Sequence, residues 1–436
     1  MRSDRIQEIY NGLQAVTERR KRDAIYTALG YTSNLDLAAE FRAEDLNDLL
    51  AKYLPAGVLR AMRPAERIRT MEDLLETVVY YCLQGIGGEV DIEDPDLVRA
   101  LFPCVNAIGG TGVQAALALD RLGAGSIVHL TDDSKEVLEQ LASPNIRMPL
   151  ADGTLGGASD VQGRGPQETH VILQFRRGSR IVLGEQEEEI PASNRLILTR
   201  NTVNHILPLD ENFLHWVEAH SQQVSSLVLS SFNSILDPEI LRHRLGRILE
   251  HVERYRRKNP QGTVYFEDAH YHDRQIRRLC METVYPHTDI VGMNEEELLH
   301  TLDMYQVPVK IEDIFSCVNG VEYLLNRFGI SKGILVHTKD YAMFVGDPGS
   351  ADIEKGMVYG CLMATARAVF GVYACDRQIR KILEGTLSRT GLEMLEQIRQ
   401  SSLRERVILV PTYALDRPKY TIGLGDCFTA GVQLCF

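Results

Sequence analysis

Close to the C-terminus the chain reads Thr421-Ile422-Gly423-Leu424-Gly425-Asp426-Cys427-Phe428-Thr429-Ala430-Gly431, two glycines and an acid ahead of a helix-patterned tail. Gly423 and Gly425 permit torsions and close approaches that a side chain forbids. The N–H groups around Leu424 and Asp426 then face outward at a helix N-terminus, where the dipole favours an anion. An acid at that spot is badly placed to bind phosphate, since like charges repel. It is well placed to take a proton from a hydroxyl that attacks the phosphate. The alternative is simple helix capping by Asp426.

Three other segments carry residues of the right types. Gly109, Gly110 and Gly112 open a helix. Their spacing is not GxGxxG and no acid-ended strand answers them, which disfavours a dinucleotide fold; tight packing alone is an equal alternative. Asn34 and Asp36 alternate at a strand end and so share a face. A paired amide and carboxylate suit sugar hydroxyls, or else complete a turn. Asn294 and Glu297 lie three apart at a helix start, as in a capping box. A carboxylate there could equally hold water around a phosphate-bound Mg²⁺. His270 and His272 suggest a metal pair, but no third ligand is in view and loop histidines are the simpler reading. Cys427, beside Asp426, reads as open to thiol reagents, with no histidine partner that would make it a nucleophile.

The elements that must position these groups belong to an α/β protein. Residues 3–30 are helix-patterned and 24–41 read as a buried strand; 65–84 have helical periodicity. The runs at 169–175 and 179–186, separated by Arg-Arg-Gly, predict a β-hairpin. The acidic run at 185–189 reads as a solvated edge. From about residue 222, five short strands alternate with amphipathic helices, which implies parallel βαβ units covered on both faces. The expected organisation is a large doubly wound domain over 1–36, 61–97, 109–167 and 204–436, with a small β-rich lid over 37–60, 98–108 and 168–203.

Bulk properties bound the function. The 436 residues are 44% hydrophobic and 25% charged, enough for a sizeable core. A net charge of −13 argues against nucleic acid and does not favour an anionic membrane. Eight cysteines without a CxxC pair read as reduced thiols, hence a cytoplasmic protein.

The four segments, in this order, resemble the ribokinase-like superfamily of sugar kinases, and within it the ADP-dependent glucokinase/phosphofructokinase family. Gly109-Gly110 matches its GG helix, Asn294 to Glu297 its NxxE motif, and Gly423 to Asp426 its GxGD motif. Gly30-Tyr-Thr-Ser-Asn-Leu-Asp36, Gly292-Met-Asn-Glu-Glu-Glu-Leu298, Ile334-Leu-Val-His-Thr338 and Pro418-Lys-Tyr-Thr-Ile-Gly-Leu-Gly-Asp426 are similar to the closer family. The resemblance implies transfer of a phosphoryl group from ADP, with Mg²⁺, to a sugar or sugar phosphate. It implies Asp426 as base and Gly423, Leu424 and Gly425 as the anion cradle. It further implies Asn34, Asp36, Gly109, Gly110, Gln114, Gln174 and Asn233 at the sugar, and His337, Thr338, Arg195, Thr421 and Asn294 at the nucleotide. Glu297 and Glu267 would then be near the metal. Departures are present: Tyr265 stands where the family's HxE motif has His, Gln174 where a lid Glu is usual, and Ser231-Phe232-Asn233 where a Gly-Gln pair is frequent. An ATP-dependent kinase, or a sensor that binds without catalysis, are the alternatives; a sensor has no need of Asp426.

Overall fold

The computed structural model describes residues 3–163, 165–415 and 418–436. A ten-stranded sheet forms the larger layer. Its central strands, Ile146–Pro149, Gly125–Val128, Tyr26–Leu29, Val224–Leu229, Thr263–Glu267, Ile290–Asn294 and Gly333–His337, are neighbours in that order and run parallel. They are buried almost throughout, as strands covered by helices on both faces must be. Tyr341–Gly346 and Val407–Pro411 extend the sheet with antiparallel pairings, so the last strands depart from the expected βαβ repeat.

Helix Leu424–Val432 packs lengthwise on helix Ile353–Phe370. The helices approach at Gly431 and Gly360, where a Cβ on Gly431 would collide with the Gly360 backbone. This contact seats the GLGD helix on the body of the protein and keeps the C-terminus apolar: Val432 and Leu434 are buried.

The smaller layer is a six-stranded sheet of Arg67–Ile68, Gly88–Ile92, Asn194–Arg200, Thr169–Phe175, Asn34–Ala39 and Cys104–Gly109, in that order. Two expectations are corrected here. Residues 61–97 do not belong to the large sheet: Arg67–Ile68 and Gly88–Ile92 pair within the small one. Helix Met71–Gln84, between them, packs against helix Ala43–Tyr53. Periodicity finds that helix but cannot say which sheet its flanking strands join. The expected hairpin is also different. Thr169–Phe175 pairs antiparallel with Asn194–Arg200, and the hairpin proper, Arg180–Leu183 with Gln186–Glu189, is an insertion between them. Arg60 and Arg180 pair with Glu188 and Glu187 along its acidic strand.

At the N-terminus the single expected helix is two, Ser3–Asn11 and Leu13–Arg22, and the strand after it is likewise two. Tyr26–Leu29 joins the large sheet and Asn34–Ala39 the small one. The chain crosses between sheets at Gly30–Ser33. Among the described residues no helix is long and apolar enough to cross a membrane.

Candidate active site

The parallel strands end on one rim, and a cleft of about 910 Å³ opens beyond it. Glu267, Asn294 and His337 are the last residues of three successive strands, so the sheet itself delivers their side chains to the cleft. Crevices outside the carboxyl ends of parallel strands are where α/β folds bind ligands. Thr111, Thr338, Thr421, Gly423, Leu424, Gly425 and Asp426 complete the wall that concerns chemistry.

Gly423 precedes helix Leu424–Val432 in the left-handed conformation, φ 72°, which turns the loop and leaves the first N–H groups of the helix open to the cleft. Asp426 lies in that first turn. Burial, then the charge of Glu267, push its carboxyl up to about 7; the Thr111 hydroxyl, His337 and Arg367 pull the other way. Among the described residues no N–H of this helix is seen to donate to the Asp426 carboxylate, which faces the cleft.

Asn294 and Glu297, by contrast, do form a capping box: the Glu297 N–H donates to Asn294 Oδ1 at 2.9 Å, and the Asn294 N–H donates to Glu297 Oε2 at 2.8 Å. Glu297 is nonetheless buried at the cleft wall, and burial together with the charge of Asp268 raises its carboxyl. Glu267 is held at both oxygens, by the Tyr265 hydroxyl at 2.9 Å and His337 Nε2 at 3.0 Å. Burial lowers the His337 imidazole, but Glu267 outweighs it and leaves His337 above its ordinary value. Asp268 is tied by Arg277 at 2.7 Å and the Tyr285 hydroxyl at 3.0 Å, while its Oδ1 makes no hydrogen bond.

This wall suits a hydrated dication. Among the described residues no three His, Cys, Asp or Glu groups converge as a ready metal cage. Mg²⁺ needs none, because it keeps waters and binds through one or two carboxylates and substrate phosphates. Glu267 and Glu297 are buried carboxylates on that wall, which Lys339 and Arg389 also line, and one or two carboxylates are what that demand requires.

The acceptor side is reached through helix Thr111–Arg121. Gly109 lies against Asn34 and Asp36, where a Cβ would collide with both side chains. Two residues on, Thr111 lines the cleft with Asp426, and its hydroxyl lowers that carboxyl. A turn later, Gln114 lies over Gly423 and accepts from the Tyr373 hydroxyl at 3.2 Å. Asn34 Nδ2 donates to Asp36 Oδ1 at 2.7 Å and meets His170 Nδ1 at 3.2 Å. Gln114 thus touches the Gly423 turn, while Asn34, Asp36, Gly109 and Gly110 lie behind it at the start of the same helix and do not line the cleft.

Several expected residues lie elsewhere. Gln174 lines a separate hollow with Phe41, Arg42 and Arg176. Arg195 faces it across the strand pair, exposed, with only its charge reaching Asp36. Asn233 donates to the His270 carbonyl at 3.0 Å and does not line the cleft. The Thr338 hydroxyl is engaged by its own turn, accepting from Asp340 and Tyr341, so it lines the cleft without a free hydroxyl. His270 gains His300 as a ring neighbour as well as His272, but no metal cage forms. Cys427 is not open to reagents: it is buried, and burial pushes its thiol up to about 12. Sequence reasoning missed Thr111, Asp268 and Arg367. Arg367 had a signal, being the one ion in the apolar stretch from Gly356 to Phe370.

Residues 26–434 match the model of the ADP-specific phosphofructokinase/glucokinase conserved region. The chain belongs to the ADP-specific phosphofructokinase/glucokinase family. Within that family it is 24% identical to an ADP-specific phosphofructokinase of Pyrococcus furiosus, over 94% of this chain and 96% of the relative. It is 22% identical to an ADP-dependent glucose/glucosamine kinase of Pyrococcus abyssi, over 92% of each. Its fold superposes, with a TM-score of 0.79 and 20% identity, on a hypothetical ADP-dependent phosphofructokinase from Pyrococcus horikoshii, covering 94% of this chain and 97% of that one. Family members of both names are kinases with an alcohol acceptor, so the chain falls in that enzyme class.

Proposed function

We propose that the protein transfers the terminal phosphoryl group of ADP to a sugar or sugar-phosphate hydroxyl, releasing AMP. The observation that carries this reading is the placement of Asp426. It is a buried carboxylate in the first turn after a left-handed glycine, on the wall of the cleft with Thr111, whose helix begins where Gly109 packs on the Asn34–Asp36 pair.

In the reaction, Asn34 and Asp36 orient the acceptor and Asp426 takes the proton of its hydroxyl. The new bond joins that oxygen to phosphorus as the bond to the AMP oxygen breaks. The N–H groups after Gly423 stabilise the charge on the equatorial oxygens. Mg²⁺, associated with Glu297 and Glu267, would supply neutralisation of phosphate charge when bound. A carboxyl raised to about 7 by burial is a stronger base than a solvated aspartate, which suits proton abstraction near neutral pH. Closure of the six-stranded sheet over the bound acceptor would exclude water and so suppress hydrolysis of ADP.

A coupled assay of ADP and ATP against glucose, glucosamine and fructose 6-phosphate tests the reading. AMP formation dependent on one of these acceptors supports it. Turnover with ATP alone would install the ATP-dependent alternative, and nucleotide binding with no turnover on any acceptor would favour a sensor.

A further inference from the structure

Arg367 is 7% exposed, one turn from the end of helix Ile353–Phe370. Its guanidinium lies between two aromatic rings, 4.3 Å from the centroid of Tyr373 and 4.4 Å from that of Tyr420. Nη1 donates to the Gly371 carbonyl at 3.0 Å, and Nε faces the Ile422 carbonyl at 3.5 Å. The segment that carries Tyr420 is tied separately to the same helix end, since the Lys419 and Tyr420 N–H groups both donate to the Ala368 carbonyl. Arg367 is therefore not needed merely to hold the segment in place.

Its particular contact is with the peptide that joins Ile422 to Gly423. In a trans peptide the C=O and N–H point in opposite directions. An Ile422 oxygen drawn to the guanidinium aims the Gly423 N–H away from Arg367. Left-handed Gly423 has no Cβ to fix that plane for itself, and its flexibility leaves the orientation to the neighbours. The two rings in turn fix the plane of the guanidinium, which a lysine cannot reproduce.

We propose that Arg367, clamped between Tyr373 and Tyr420, is a positioning residue that orients the Ile422–Gly423 peptide and so aims the anion cradle at the transferred phosphate. This rests on the kinase reading above. The wild-type protein is the control for that reading: if it neither binds ADP nor phosphorylates any acceptor, the kinase reading fails before the variants are compared.

The test is Arg367→Met and Arg367→Lys, with kcat measured on the acceptor the wild type uses and ADP and AMP affinities by calorimetry. Loss of an entire oxyanion donor costs about 10²–10³ in kcat, and a misaimed one should cost about tenfold or more. Both variants should lose kcat with little change in acceptor KM. They should weaken ADP more than AMP, because only ADP carries the phosphate at the cradle. Added guanidinium should restore part of the Arg367→Met rate. A folded Arg367→Met with wild-type kcat and an unchanged ADP-to-AMP affinity ratio overturns the proposal, and so does full activity in Arg367→Lys. If Arg367→Met does not fold, Tyr420→Ala removes one side of the clamp at a partly exposed position. The same two readouts then decide: a fall supports the proposal, and wild-type values overturn it.

Discussion

Glu267 Oε1 and His337 Nε2 meet at 3.0 Å although a whole strand, Ile290–Asn294, lies between the strands that carry them. Gly292 in the intervening strand allows the reach, since a Cβ there would collide with both Glu267 and the Tyr265 hydroxyl. The family's HxE histidine is replaced here by Tyr265, yet an imidazole still reaches this glutamate, from a strand two places away.

His337→Ala should destabilise the protein by about 3 kcal/mol, because it leaves a buried carboxylate without its imidazole partner. The folded imidazole lies above its ordinary 6.5, so its contribution is present below about pH 6.5 and fades as pH rises through the folded value. The melting-temperature gap between wild type and variant should therefore narrow from pH 6 to pH 9. A gap that widens would contradict a protonated His337.

How much of this was visible in the chain depends on range. The GLGD turn, the NxxE cap and the parallel core strands are local patterns of glycine, acid and period, and the folded protein keeps them. The Glu267–His337 pair spans 70 residues and depends on strand order, which no local pattern encodes. The same holds for Arg67–Ile68 and Gly88–Ile92, whose sheet is chosen by distant partners, and for the Arg367 clamp. Gln174 shows the limit of a motif: its position on the strand Thr169–Phe175 puts it in the hollow with Phe41, Arg42 and Arg176, and that placement depends on strand order rather than on local sequence.

Asp426→Asn should stabilise the ligand-free protein at high pH and not at low pH. The folded carboxyl, at about 7, is well above its ordinary 3.8, so ionising it costs folding energy as pH rises between those values. The ceiling is about 4 kcal/mol. The variant should melt above wild type at pH 8 and alongside it at pH 4, and equal melting at both would contradict the burial of that charge.

Gly423→Ala meets two obstacles, a positive φ and a Cβ that collides with the Gln114 amide oxygen. It should cost about 1 kcal/mol or more in stability from the backbone conformation alone, and should depress kcat by displacing the cradle. An alanine variant with wild-type turnover would show that the left-handed turn is dispensable.

ADP or AMP with Mg²⁺ should raise the melting temperature more than ATP at matched concentration, since stabilisation follows affinity for the folded state. Glu297→Gln and Glu267→Gln should each reduce the Mg²⁺-dependent part of the ADP shift. An ATP shift that equals or exceeds that of ADP would favour the ATP-dependent alternative.

Whether Asp426 takes the acceptor proton is decided by the turnover of Asp426→Asn measured beside its ADP affinity. Asparagine keeps the shape and removes the basic oxygen, so ADP should still bind while kcat falls by about 10²–10⁴-fold. Turnover near the wild-type value in a variant that binds ADP normally would contradict the mechanism.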